Sequence, residues 1–423
     1  MARDGRAVYN PLMNASTQPT TALASIESPE AWKRLAASLA ISTMGGVGIW
    51  SVVVVLPTVQ AEFGTARGGA SLPYSATMLG FAVGGIVMGR IADRFGVVVP
   101  VILGALSLAL GYLGAALSGA LWHFTLFQGV LIGALGSSAV FGPLVADISH
   151  WFSRRRGIAV AICASGNYLS GTLWPPVIQY GVETIGWRWT YAATGLICLA
   201  TMLPLAGILR RKTPRPPDTA PAGGGGAIGD FPLAPNRLQA LLVIAGVTCC
   251  LAMAMPQVHI VAYCGDLGYG VARGAEMLAL MLGFGVVSRL ASGWICDRIG
   301  GVRTLLLGSA LQAATLCLYI PFDGLASLYL VAILFGLSQG GIVPSYAIIV
   351  REYLPASEAG TRVGLVLMAT IVGMALGGWL SGAIFDLTGS YRAAFLNGIA
   401  WNLVNLMIAI WLLRHRPPRT LAA

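Results

Sequence analysis

Arg289 stands in the stretch GFGVVSRLASGWICDRIGG, Gly283–Gly301, among apolar and small residues. In a bilayer-spanning helix a guanidinium costs about 2.5–3.5 kcal/mol, so it needs a partner. Three partners are open to it. Its planar fork can take the carboxylate of a bound anion bidentately. It can donate to backbone carbonyls, or it can reach the membrane interface, about 6 residues and roughly 9 Å away along the helix. Other residue types that carry chemistry are few. His259, beside Pro256 and Gln257, is suited to bonding a substrate or shuttling a proton near neutral pH. Asp266, at the edge of the following loop, is a second candidate proton site. Tyr346 in GGIVPSYAIIV, and Asn167 with Tyr168 in ASGNYLSG, are polar groups placed to line a cavity. Asp147 and His150 neighbour Arg154, Arg155 and Arg156, which reads as ion pairing at a loop rather than a catalytic dyad. The seven cysteines have neither zinc-ligand spacing nor a disulfide pattern, and read as small packing residues. There is no nucleotide-binding loop, nucleophile triad or metal cluster. The expectation is no enzyme, no cofactor and no metal.

Two turns repeat. GRIADRFG contributes Gly89, Asp93, Arg94 and Gly96; GWICDRIG contributes Gly293, Asp297, Arg298 and Gly300. A carboxylate here can cap a helix or pair with an arginine from another loop, closing one side of the molecule in one state. A single copy would read as an ordinary tight loop; two copies imply two halves built on one plan. A second repeat is the glycine stripe: Gly80, Gly84, Gly85 and Gly89 in GFAVGGIVMG, and Gly373, Gly377, Gly378 and Gly382 in GMALGGWLSG. Glycines four apart let helix backbones approach closely. The expectation is a sliding contact between these two helices across the halves, against the alternative of packing within each half.

The elements that must position these residues follow from composition. The chain has 423 residues, 56% hydrophobic and only 10% charged, with a mean hydropathy of +0.77. A soluble domain is about 25% charged, so this is an all-α, polytopic membrane protein. Its net charge of +10 sits in short loops, which argues against nucleic acid as a partner. Runs of about 20 apolar residues place six spans in 35–209 and six in 238–413. Between them, 210–237 is a linker rich in Pro, Gly and charge. Residues 1–34 and 414–423 read as tails, the first without the apolar core of a signal peptide. Pro143, Pro175, Pro176, Pro256 and Pro344 are expected to kink their spans. One side of the membrane holds only Arg67, Arg188, Arg273 and Arg392, while the loops of the other side hold nearly all the remaining cations. The positive-inside rule then puts both termini and the linker in the cytoplasm. Lys33 and Lys212 are the only lysines, which suggests a GC-rich genome and a bacterial inner membrane.

The six-plus-six plan with its repeated Gly-x-x-x-Asp-Arg-x-Gly turn resembles the major facilitator superfamily over nearly the whole chain. Within it, WFSRRRGIAVAICASG, HIVAYCGDLGYG, SRLASGWICDRIGG, REYLPASEAGTRVGL and FDLTGSYRAAF are similar to the monocarboxylate transporter and oxalate–formate antiporter branch. The resemblance implies alternating access by two rocking halves around a central site. It implies that Arg289 faces the cavity and pairs with a substrate carboxylate, and that His259 and Asp266 match groups of bacterial relatives. Two departures stand out. Gly285 occupies the place of an aspartate of animal relatives, and no basic residue lies between Arg362 and Arg392, where oxalate exchangers carry a lysine. One cavity cation suits one carboxylate, since a second anion would be desolvated without a partner. The expected partners are therefore a small monocarboxylate, a proton as candidate co-substrate, and the lipid bilayer. An exchanger or facilitator of another small metabolite, and a non-transporting sensor, are the alternatives.

Overall fold

The computed structural model describes residues 27–210, 233–355 and 358–415. The expected tails 1–34 and 414–423 and the linker 210–237 fall, except for their inner edges, outside these residues. Helices account for nearly all of what is described, with no strand among the described residues. The rods are α1 (Pro29–Glu62), α2 (Arg67–Phe95), α3 (Val98–Ala116), α4 (Leu121–Trp151), α5 (Arg156–Ala164 continued by Gly166–Ile185), α6 (Trp187–Ile208), α7 (Pro235–Asp266), α8 (Val271–Ile299), α9 (Gly301–Leu318), α10 (Leu325–Tyr353), α11 (Ala359–Thr388) and α12 (Tyr391–His415). Among the described residues, eleven of these are long and apolar enough to cross a membrane. The twelfth, α5, is interrupted at Ser165 and carries Asn167, Ser170, Thr172, Gln179 and Glu183, which lower its hydropathy.

Local chemistry sets the ends. Ser28 accepts a hydrogen bond from Ala31 N at 3.3 Å and Pro29 opens the helix, so α1 begins six residues before the expected Leu35. The two repeated turns do not open into loops early. α2 and α8 run through Asp93–Arg94 and Asp297–Arg298, then stop at Gly96 (φ +83°) and Gly300 (φ +85°), conformations that favour glycine. Two of the five prolines stand beside a break in the α-helix. α4 passes through a π-helical stretch, Phe127–Gly136, and a 3₁₀ turn, Ser137–Val140, before Pro143 restarts it. Its counterpart α10 breaks at Gly340–Gly341 and restarts before Pro344. Pro175, Pro176 and Pro256 instead lie inside unbroken helices.

Large apolar side chains such as Leu79, Val83, Leu110, Val287, Leu403 and Met407 are exposed on the outside, as a lipid-facing surface requires. The halves meet through α2 with α11, α5 with α8, and α1 with α7. On the α2–α11 seam Ser75 Oγ donates to Ala375 O at 2.6 Å.

The glycine stripes need correction. A Cβ at Gly80 or Gly84 would lie 2.0 Å from Gly129 O and 1.9 Å from Ala134 O, both on α4 of the same half. A Cβ at Gly373 or Gly377 would lie 2.4 and 2.3 Å from the carbonyls of Val247 and Leu251 on α7, again the same half. Gly85 and Gly89 face open space. Of the eight, Gly378 and Gly382 alone point across the halves, where a Cβ would meet Tyr74 and the Arg67 carbonyl, each at 2.9 Å. The stripes mostly let each half close on itself.

Candidate functional site

Two polar clusters straddle the halves, at different depths. The first centres on Arg289 of α8. Its Nη1 donates to Ala164 O of α5 at 3.0 Å, and its guanidinium carbon lies 4.3 Å from the centroid of the Tyr168 ring. Its Nε is buried and has no hydrogen-bond partner. No carboxylate among the described residues pairs with it. Ala164 is the last residue before the break in α5, so the interruption at Ser165 places the carbonyl that Arg289 uses. Asn167, one residue before Tyr168, accepts from Trp50 Nε1 of α1 at its carbonyl (3.1 Å) and its Oδ1 (3.2 Å).

Backbone contact fixes the depth of Arg289. A Cβ at Gly340, in the α10 break, would lie 2.4 Å from Gly285 O and 2.5 Å from Arg289 N. Ser288 Oγ donates to Leu337 O at 2.6 Å and accepts from Gly340 N at 3.2 Å. Only glycine at 340 lets α8 and α10 touch there. Gly285 has its own reason. A Cβ would stand 2.9 Å from Tyr168 Cε1, so the ring under Arg289 occupies the space an acid at 285 would need.

The second cluster lies at the opposite end of the bundle from the linker. Arg67, at the start of α2, donates from Nη2 to Asp266 Oδ1 of α7 at 3.1 Å and from Nη1 to Tyr391 Oη of α12 at 2.9 Å. The α2 N-terminus is capped from the other half: Arg67 N and Gly68 N donate to Asp386 Oδ1 and Oδ2 of α11, each at 2.7 Å. His259 Nε2 lies 2.8 Å from Gly378 O, and its Nδ1 lies 3.2 Å from Tyr391 Oη. A carbonyl only accepts, so Nε2 carries the proton. When the imidazole is neutral, Nδ1 accepts from the tyrosine hydroxyl, giving a chain Arg67→Tyr391→His259→Gly378.

The expected substrate set therefore divides. Arg289 and Tyr168 come together, with Asn167 beside them. His259 is fully buried in the second cluster and does not reach Arg289. Tyr346 is fully buried inside its own half, donating to Asn405 Oδ1 at 2.8 Å, while Asn405 Nδ2 donates to Ser309 Oγ. It is a packing residue of α9, α10 and α12. Asp147, buried near the end of its helix, pairs with Arg34. The pair is bidentate, at 2.6 and 2.9 Å, and buried. Asp93, Arg94, Asp297 and Arg298 are exposed and form no ion pair among the described residues; Arg94 and Arg298 lie over Phe95 and Trp294. Gly89 and Gly293 have open space around them.

Arg67, Asp386 and Tyr391 were not singled out from sequence. The signal available was Arg67 as one of only four cations on its side, and an aspartate and a tyrosine within FDLTGSYRAAF. Cross-half hydrogen bonds include those of Arg67 and Gly68, the Ser75–Ala375 bond, and the Arg289–Ala164 bond. These bonds lie at the Arg67 end of the seam and at the depth of Arg289. A cavity of about 880 Å³ between α2 and α4 is separate from both clusters. Leu79, Val83, Trp122, Leu126 and Val130 line it, and it opens on the lipid-facing surface.

The family model described as Major Facilitator Superfamily matches residues 38–325 and 277–423. Monocarboxylate transporter 13 of Rattus norvegicus is 28% identical over 354 residues, covering 81% of this chain and 78% of that protein. Monocarboxylate transporter 11 of Homo sapiens is 29% identical, covering 77% of this chain and 71% of that protein. The MFS-type transporter pynF of Aspergillus niger is 28% identical, covering 72% and 69%. Among solved structures, the peptide transporter POT in complex with sulfate superposes with a TM-score of 0.72 at 13% identity, over 94% of this chain and 98% of that one. A bacterial homolog of the human lysosomal transporter Spinster, inward-facing and occupied, superposes with a TM-score of 0.68 at 14% identity, over 92% and 97%. Those structural likenesses carry the fold, and the sequence match carries the family. With its twin half-bundles, repeated Asp-Arg turns and a polar seam between the halves, this chain belongs to the major facilitator superfamily and is a multi-pass membrane transporter.

Proposed function

We propose that the chain is a secondary active carrier of small organic monocarboxylates, working by alternating access, with Arg289 as the anion contact. The observation that carries this reading is the state of Arg289. It is a permanent cation at the seam between the halves, stacked on Tyr168, bonded to one neutral carbonyl, with a buried Nε left unbonded. A carboxylate satisfies such a fork bidentately. The relatives named monocarboxylate transporters support the substrate class. Asn167 and Tyr168 complete the binding surface in this reading.

The cross-half bonds of Arg67 and Gly68 hold that end shut, which in this reading corresponds to one limb of the cycle. The distribution of Arg and Lys supports a cytoplasmic linker and termini, and thus an inward-open state in a cytoplasmic membrane of bacterial type. The Asp-Arg turns then act when the cytoplasmic end closes. Asp266 is the candidate proton carrier, with His259 behind it. Protonating Asp266 removes the charge that holds Arg67, which loosens the outer end.

The test is equilibrium binding and proteoliposome uptake of labelled acetate by wild type, Arg289→Lys and Arg289→Gln, with folding followed by melting. Lysine keeps charge but loses the fork, so affinity falls while some binding remains. Glutamine abolishes binding while the protein still inserts. Wild-type affinity in Arg289→Gln would make the arginine structural and remove the assignment. Accelerated release of internal label by external acetate separates exchange from net transport.

A further inference from the structure

We infer that Gln339 of α10, held by Gln257 of α7, is a second ligand to the carboxylate that Arg289 receives. This rests on the reading of Arg289 given above. Both glutamines are buried within the C-terminal half, Gln339 completely and Gln257 to 2% exposure. Gln257 Nε2 donates to Gln339 Oε1, which fixes the second amide and turns its NH₂ group the other way. That Nε2 is buried and bonded to nothing. It points at the Arg289 neighbourhood: the Cβ position of Gly285, one turn before Arg289, is 3.7 Å from Gln339 Nε2 and 2.9 Å from the Tyr168 ring. Gly340, the next residue after Gln339, is the one whose Cβ would strike Arg289 N.

Gln339 Nε2 and the Tyr168 ring under Arg289 both lie against the Cβ position of Gly285, so the two orphaned donors, Arg289 Nε and Gln339 Nε2, stand in one neighbourhood. A buried donor without an acceptor is destabilising, and native structures rarely retain one without use. One carboxylate satisfies both once the Tyr168 ring, 2.9 Å from the Gly285 Cβ position, turns aside. Its two oxygens offer about four lone-pair sites, of which a bidentate guanidinium takes two. The amide adds a donor without adding charge. The site gains grip on a carboxylate while its capacity stays at one negative charge.

The experiment compares wild type with Gln339→Met and with the double variant Gln257→Met plus Gln339→Met, using labelled acetate in equilibrium binding on the purified full chain. Removing both amides together leaves no new orphan, so the double variant should melt at or above the wild-type temperature. Its acetate affinity should fall about 10–100-fold, the size of one hydrogen bond to a charged group. An amide pair that only joins α7 to α10 would leave acetate affinity unchanged in both methionine variants, which overturns the proposal. Arg289→Gln separates the two readings. If it abolishes acetate binding while both methionine variants bind like wild type, Gln339 is excluded and the arginine site stands. If wild type shows no acetate binding, or Arg289→Gln retains it, the shared reading fails and this inference with it.

Discussion

Replacing Asp386 by alanine should release the Arg67 end of the molecule without unfolding either half. Its carboxylate accepts from the first two N–H groups of α2, each at 2.7 Å, across the boundary between halves. This is an N-cap delivered from another helix. Losing an N-cap costs about 0.5–2 kcal/mol. Asp386 is exposed, so no further Coulombic credit is due. The bond exists only while the halves are joined at this end. About 1–2 kcal/mol then moves the ratio of joined to parted conformations by about 5–30-fold. Spin labels at Ala61 and Ala326, exposed alanines at this end of opposite halves, read that ratio as a distance distribution. Cys317 is the one exposed cysteine among the described residues, so Cys317→Ser clears the background. Asp386→Ala should add or enlarge a long-distance population, with the melting temperature little changed. An unaltered distribution would refute the trans-cap as a latch. A lowered melting temperature with unaltered distances would mean that Asp386 serves folding alone.

The other expectations are brief. Gly84→Leu should abolish folding of the N-terminal half, because its Cβ would sit 1.9 Å from Ala134 O; Gly378→Ala, 2.9 Å from the Tyr74 ring of the other half, should fold and instead favour the conformation parted at the Arg67 end. Expression yield and the same distance measurement separate these outcomes. Gly285→Asp puts a carboxylate one turn before Arg289 and displaces Tyr168. Acetate affinity should fall at neutral pH and recover as the introduced acid is protonated, so an affinity that stays flat with pH contradicts the proximity argument. Asp266→Asn keeps shape but frees Arg67 of its anion. Accumulation driven by a pH gradient should disappear while exchange at equal pH persists, and gradient-driven accumulation in that variant and in His259→Gln would remove both residues as proton carriers.

What the sequence made legible has a common physical basis: features that stand out from a local background. Arg289 is visible because a cation breaks an apolar run. The two turns are visible because Asp-Arg beside glycine recurs, and Gly96 and Gly300 do take the positive φ that ends a helix. Helix existence followed from hydropathy, though ends such as Ser28–Pro29 and the winding of Asp93 and Asp297 into helix depended on caps that polarity alone does not show. Partners were not legible. Arg67, Asp266, Asp386 and Tyr391 each sit at the end of a span, where charge is read as loop, and only the fold assembles them. Glycine spacing revealed a groove but not its occupant, so the stripes of α2 and α11 were assigned to one another when α4 and α7 fill most of them. Tyr346 looked like a cavity residue because nothing local showed Asn405 waiting on α12.

The placement of the two cations bears on charge selectivity. Arg67 is engaged by Asp266 and Tyr391 and lies in the end that is joined. Its two Nη groups are thus taken up by the latch, while its buried Nε, like that of Arg289, has no hydrogen-bond partner. Arg289 is partly committed too, but to a neutral carbonyl of the opposite half. A carboxylate outcompetes a carbonyl for a guanidinium, since charge-assisted hydrogen bonds are roughly twice as strong as neutral ones. One carboxylate can thus draw Arg289 into a stronger bond without cost elsewhere. A second carboxylate on the same substrate would meet Tyr168, Asn167 and buried amides, none of which is a cation, and would be stripped of water for at best neutral hydrogen bonds. In the proposed reading, the asymmetry between one cation whose Nη groups serve the latch and one held by a weak, exchangeable bond favours a monoanion as the ligand.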